Sequence, residues 1–143
     1  MGQYYHVVNT DKKQMLHPHK FDDGLKLGEF GAGGSYCSTM YALSLLLANS
    51  NNRGGGDHRS NNPLIGSWAG DRIVIAGDYA EKTDPGEQGD EILYGREDIE
   101  DISEQMLLVI AEDPYGREAV QRHLDGYLMS TLSPETAAKL KTT

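Results

Sequence analysis

The sequence predicts an α+β domain: a small antiparallel sheet packed with a central buried helix and with amphipathic helices toward the C-terminus. Three observations predict it. β-Branched runs lie at residues 4–9 and 72–79, an almost uniformly apolar helical stretch follows Met40, and apolar residues recur at helical spacing after Ile99. The 143 residues are the usual size of one domain, so a single domain over 1–143 is expected, with mobile loops at about 50–63 and 81–95.

Taken in order, Tyr4-Tyr5-His6-Val7-Val8-Asn9 is strand chemistry, Asn9-Thr10-Asp11-Lys12 is turn chemistry, and Gln14-Met15-Leu16-His17 returns as a second strand. An N-terminal hairpin follows. Pro18 and five glycines punctuate residues 18–34, so regular structure there is brief. From Ser35 onward Met40, Leu43, Leu46 and Leu47 recur at helical spacing, with Ala42 and Leu45 widening the apolar stripe until most sides are greasy. Such a helix belongs in the core. Residues 53–63 hold three consecutive glycines and almost nothing apolar, which reads as a long exposed loop.

Order resumes at Leu64-Ile65-Gly66-Ser67-Trp68, turns at Ala69-Gly70-Asp71 and continues into the Ile73-Val74-Ile75 run, the clearest strand. Residues 81–95 are acidic and glycine-rich and read as loop. One amphipathic helix then carries Ile99, Ile102, Met106, Val109 and Ile110 up to the Asp113-Pro114 break, and a second carries Val120, Leu124, Leu128 and Leu132. Ser133-Pro134-Glu135 supplies an N-cap, a proline at the first position and an acid against the dipole for a last helix through Leu140.

Charge narrows the function classes. The net charge is −9, and residues 78–118 hold 14 acidic and three basic side chains. That field opposes direct binding to nucleic acid or anionic lipid. No apolar run approaches the roughly 18 residues of a membrane span, and the start has neither the basic end nor the apolar core of a secretory signal. A cytoplasmic protein is expected, in keeping with a single cysteine, Cys37.

Against that acidic background the concentrated basic donors are Arg53-Gly54-Gly55-Gly56-Asp57-His58-Arg59, with Asp71-Arg72 after the next turn. Guanidinium forks and free glycine amides suit phosphate or carboxylate, and Asp57 beside His58 would orient the imidazole. These nine residues are the candidate ligand site. The Gly31-Ala32-Gly33-Gly34-Ser35 turn before the central helix would add amides, but it lacks the Gly-Lys-Ser/Thr ending of a P-loop and reads more simply as close packing. No His-Glu-x-x-His or Cys-x-x-Cys spacing is present, so neither a metal nor another cofactor is expected. Neither Ser35 nor Cys37 sits in a recognisable nucleophile elbow. Trp68 and Tyr79 flank the main strand and read as residues closing the core.

Met1-Gly2-Gln3-Tyr4-Tyr5, His17-Pro18-His19-Lys20-Phe21, Arg53-Gly54-Gly55-Gly56-Asp57 and the run from Gly66 through Trp68, Asp71, Arg72 and Gly77 to Ala80 together resemble a family of small uncharacterised proteins of bacteria, phages and prophages. The resemblance covers the first 80 or so residues and lends no catalytic residue. It implies a non-enzymatic accessory role, binding an anionic, nucleotide-like small molecule or a host defence protein, as in immune evasion. Two alternatives stand beside it. One is an acidic interaction module that inhibits a basic partner by nucleic-acid mimicry through residues 78–118. The other is a small hydrolase or transferase using His17, His19, Asp57 and His58.

Overall fold

Asn9 sets the first turn of the chain. Its side-chain oxygen accepts the N–H groups of Asp11 and Lys12 at 2.9 and 2.8 Å, and Lys13 adopts a left-handed φ of 55° to close the hairpin. The strands so joined are β1 (Tyr5–Asn9) and β2 (Gln14–Leu16). The computed structural model describes residues 2–124 and 131–141.

The protein is α+β. β3 (Ile73–Gly77) pairs antiparallel with β1 on the side away from β2, and β4 (Glu100–Asp101) joins β2, giving the order β3-β1-β2-β4. The antiparallel sheet expected from the sequence accounts for three strands. β4 is parallel to β2, because the chain reaches it only after crossing the sheet through residues 78–99.

The central strands, β1 and β2, are buried on both faces. Val7 and Leu16 are register partners facing the larger core, with Trp68, Phe21, Phe30 and the apolar sides of the helices. Val8, Met15 and Ala76 face the other way and form a smaller cluster closed by Leu93 and Ile99. Residues 81–95 contain neither helix nor strand, as their composition predicts. They are nevertheless laid against the sheet, since Leu93 is buried and a Cβ on Gly86 would collide with Val74.

A 3-10 helix (Pro18–Phe21) and the short α1 (Leu27–Gly31) occupy the glycine-punctuated stretch. The central helix, α2 (Thr39–Leu47), buries Thr39, Ala42, Leu43, Leu45 and Leu46 and leaves Ser44 and Leu47 exposed. Its C-terminal carbonyls are capped by the returning chain, Gly66 N–H to Leu45 and Trp68 N–H to Leu46, both at 2.9 Å. Gly66 makes this possible with φ +82°, its α-carbon so close that a Cβ would lie 2.6 Å from the Ala48 carbonyl oxygen. Trp68 then inserts into the core and donates its indole N–H to Gln14 at 2.8 Å.

α3 (Ser103–Ile110) buries Met106, Leu107, Val109 and Ile110, and α4 (Pro114–Leu124) buries Ala119, Val120 and Leu124. Leu128, expected on that second face, lies outside the described residues, and Leu132 is buried ahead of α5 (Pro134–Lys141). Ser133 caps α5 as its sequence predicts, its hydroxyl accepting the Thr136 N–H at 3.3 Å. Among the described residues no helix is long and apolar enough to cross a membrane.

Candidate functional site

The glycine-rich basic loop owes its shape to three polar side chains. Asn51 clasps the loop with its side chain: Oδ1 accepts the His58 N–H at 2.9 Å, and Nδ2 donates to the carbonyls of His58 and Ser60. Asp57 does not orient His58. Its carboxylate accepts the N–H groups of Arg53 and Gly54, which hold it below the usual carboxylate range. Asp113 fastens the far end, accepting the Arg59 N–H on one oxygen and the Tyr115 N–H on the other, both at 2.8 Å. Burial opposes ionisation of Asp113, but the amides of Arg59, Gly116 and Tyr115 win and lower its pKa.

His58 is the anchor of this loop. It is 2% exposed, with Nε2 2.8 Å from the Val109 carbonyl oxygen and Nδ1 2.8 Å from the Tyr41 hydroxyl. A carbonyl only accepts, so Nε2 carries the proton and Nδ1 accepts from Tyr41. Both nitrogens are consumed in holding the loop to α2 and α3, and the acid/base role suggested by the sequence has no free nitrogen to work with. The exposed loop expected from composition is thus tied to the core at one buried residue. Chain composition shows glycines and arginines but not that a histidine among them turns inward.

The nine candidate residues divide into two groups. Arg53 and Arg59 are exposed, and neither guanidinium has a carboxylate partner among the described residues. Asp71 and Arg72, just ahead of β3, instead bond to the β1–β2 hairpin. Arg72 grips Asp11 through Nε at 3.1 Å and Nη2 at 2.9 Å, and Asp71 is bound by Lys12 at 2.6 Å and by Asn9. In place of an approach of Asp71-Arg72 to the basic loop, both side chains pair with the hairpin, because the Asp11 turn lies next to them in the sheet.

The glycine turn before α2, set aside on sequence grounds, lines a groove of about 380 Å³ with Tyr36, Ser38, Met40, Tyr41 and Ser44. Its helix N-terminus is not an open anion site, since the Asp23 carboxylate already takes the Thr39 N–H and hydroxyl at 2.8 and 2.7 Å. Burial, only partly offset by those two bonds, pushes the Asp23 pKa up. What distinguishes the groove is tyrosine. Tyr36 meets Tyr41 edge-on at 5.0 Å and lies nearly parallel to Tyr115 at 6.1 Å, with Tyr36 and Tyr115 still 43% and 60% exposed. Burial pushes the Tyr41 phenol up to about 12, so it remains the donor that His58 requires. Cys37, beneath the turn, is buried and its thiol is pushed up to about 12, which removes it as a nucleophile near neutrality.

The tyrosines escaped sequence reasoning because Tyr36 and Tyr41 are separated from Tyr115 by more than 70 residues and share no spacing with it. Two aromatics flanking the start of an apolar helix were the available signal. Two further cavities adjoin polar surfaces. Arg53 borders one of about 250 Å³ with Asn49, Asn51, Asn61 and Asn62, and another, of about 670 Å³, is an acidic concavity at Asp90, Glu91, Glu97 and Asp98. His17 and His19 lie beside His6 at the end of β2, on different elements from Asp57 and His58. Among the described residues no group of three or more His, Cys, Asp or Glu side chains is placed to hold a metal ion.

Comparison with models of protein families, with curated proteins and with solved structures finds no match to this chain.

Proposed function

We propose that this is a non-enzymatic binding protein for a small anionic molecule that carries a planar ring, of which a nucleotide is the type. The observation that carries the reading is the exposed Tyr36–Tyr115 pair over the groove at Gly33–Tyr41, joined through Tyr41 and His58 to the loop that bears Arg59. Aromatic faces accept a ring by stacking. Arg59 leaves the backbone at a residue held by the same Asp113 carboxylate that holds Tyr115, so a cation without a carboxylate partner among the described residues is anchored at the edge of the aromatic surface. With Asp23 occupying the start of α2, the ligand's anion is assigned to the loop and not to the helix. On the resemblance noted above, the role would be that of a phage- or prophage-type accessory protein sequestering such a molecule.

Calorimetric titration with nucleoside mono-, di- and cyclic phosphates, with a nucleoside and with a sugar phosphate tests this. Binding is expected for compounds that hold both ring and phosphate, and about tenfold weaker binding for each half alone and for Arg59→Ala or Tyr36→Ala. No heat from any of them at millimolar concentration overturns it. A second reading, inhibition of a basic protein partner, draws on the concavity lined by Asp90, Glu91, Glu97 and Asp98. Capture of a host protein that survives high salt would count against that reading.

A further inference from the structure

His6 is the buried polar side chain whose situation is hardest to reconcile with a passive core. It is 7% exposed, and neither of its ring nitrogens has a hydrogen-bond partner among the described residues. Leaving a buried donor and acceptor both unmade is costly, and native proteins seldom keep such a group without a use. Its surroundings are specific. One step beyond the Val7–Leu16 register pair, His6 lies beside His17 with ring centroids 4.7 Å apart, and His17 is 5.4 Å from His19. The Tyr94 ring covers His6, stacked at 4.1 Å and within 14° of parallel.

Tyr94 belongs to the stretch without helix or strand that crosses the sheet. That stretch is held to the sheet by few things, Leu93 and Ile99 in the smaller cluster, Gly86 against Val74 and the Lys13–Asp98 ion pair at 3.5 Å, while the Leu93 N–H on Glu87 and Arg96 on Asp98 and the Gln88 carbonyl are bonds within it. A segment with so little regular hydrogen bonding opens at lower cost than the sheet beneath it.

We propose that residues 86–99 form an acid-released flap, in which charging His6 and His17 lifts Tyr94 from the sheet and uncovers the apolar face of Val8, Met15 and Ala76. With the flap closed, a charge on His6 would be buried beside the His17 ring, and both burial and a charge on His17 oppose it. From β1 the group is His6, from the end of β2 and the 3-10 helix His17, His19 and Lys20, from β4 Asp101, from the end of β3 Asp78, and from the flap Tyr94. Asp101 and Asp78 favour the charged form, but burial and His17 oppose it and outweigh them, so the His6 pKa falls from 6.5 to about 4; burial likewise lowers that of His17. Lifting the flap admits water and restores the ordinary value.

The sign follows from linkage. The closed form is fully favoured above pH 6.5, loses about tenfold in its equilibrium for each unit below, and stops losing near pH 4. At pH 5 His6 alone shifts the equilibrium about 30-fold toward the open form.

Hydrogen exchange of the 86–99 amides at pH 7 and pH 5, corrected for intrinsic rates, tests the proposal. Protection is expected to fall about 30-fold or more at pH 5 in the native chain and by clearly less in His6→Phe, whose ring fills the same space without titrating and leaves only His17 to charge. Equal protection at both pH values in the native chain overturns it, as does an undiminished pH effect in His6→Phe. Should His6→Phe not fold, NMR titration of His6 decides: a midpoint near 4 in the native chain rising toward 6.5 in Tyr94→Ala supports the flap, and the same midpoint in both overturns it.

Discussion

Replacing His58 by leucine keeps much of the buried volume and deletes both ring bonds, to the Tyr41 hydroxyl and to the Val109 carbonyl. The Val109 oxygen retains the Glu112 N–H at 3.1 Å, so it is weakened and not orphaned. The half-buried Tyr41 hydroxyl loses its acceptor outright. Two neutral hydrogen bonds at about 1 kcal/mol each, with about 1 kcal/mol for the stranded hydroxyl, give a destabilisation of about 2–4 kcal/mol. Urea unfolding followed by the fluorescence of Trp68, the single tryptophan and a fully buried one, reads it as a midpoint lowered by about 1–2 M. Arg53→Ala, on the exposed side of the same loop, is the control and is expected to stay within about 0.5 kcal/mol of the native chain. If His58→Leu does too, the loop is merely solvated, and both its anchoring and the link from Tyr41 to Arg59 fall with it.

Glu104→Gln is expected to loosen α5. Burial disfavours the Glu104 charge, but the hydroxyls of Thr136 and Ser133, the Lys20 ammonium and the Ser133 N–H bring its pKa down from 4.5 to about 2. Its contribution is therefore complete above pH 4.5 and lost as pH falls toward about 2. Acid unfolding of the glutamine variant should lack that dependence, and its stability at pH 7 should drop by about 1–3 kcal/mol. Gly116→Ala is expected to cost more than about 3 kcal/mol or to displace α4, because the added Cβ would stand 2.0 Å from the Ile110 carbonyl oxygen; a circular-dichroism melt unchanged from the native chain would refute that packing. Cys37 is expected to resist an aromatic disulfide reagent at pH 8 in the folded chain and to react at once in urea. Arg72→Ala should leave ligand affinity unchanged in the same titration that registers Arg59→Ala, since its guanidinium is held by Asp11.

Element identity was readable wherever a local rule decides it. The Asn9 turn, the Ile73-Val74-Ile75 strand, the apolar α2 and the Ser133 cap each depend on neighbours a few residues away, and each stands where its residues place it. Two-residue β4 was not readable, because Glu100 and Asp101 have no strand character and pair only where Gln14 and Met15 lie alongside. The loop at 81–95 was recognised as loop, but its cover over the sheet depends on Leu93 and Tyr94 meeting Val8 and His6, residues some 85 positions earlier.

The basic loop shows the same division. Composition placed the cations of an acidic chain at residues 53–59, and Arg53 and Arg59 are exposed there. Whether those cations act together, and with what, is a matter of distance in space. Asp11 took Arg72, loop amides took Asp57, Tyr41 and Val109 took His58, and Asp23 took the start of α2. Residue type sets which bonds a side chain is able to make, and that much belongs to the sequence. Which of them it has already made follows from burial and long-range packing, and those arise only once the chain has folded.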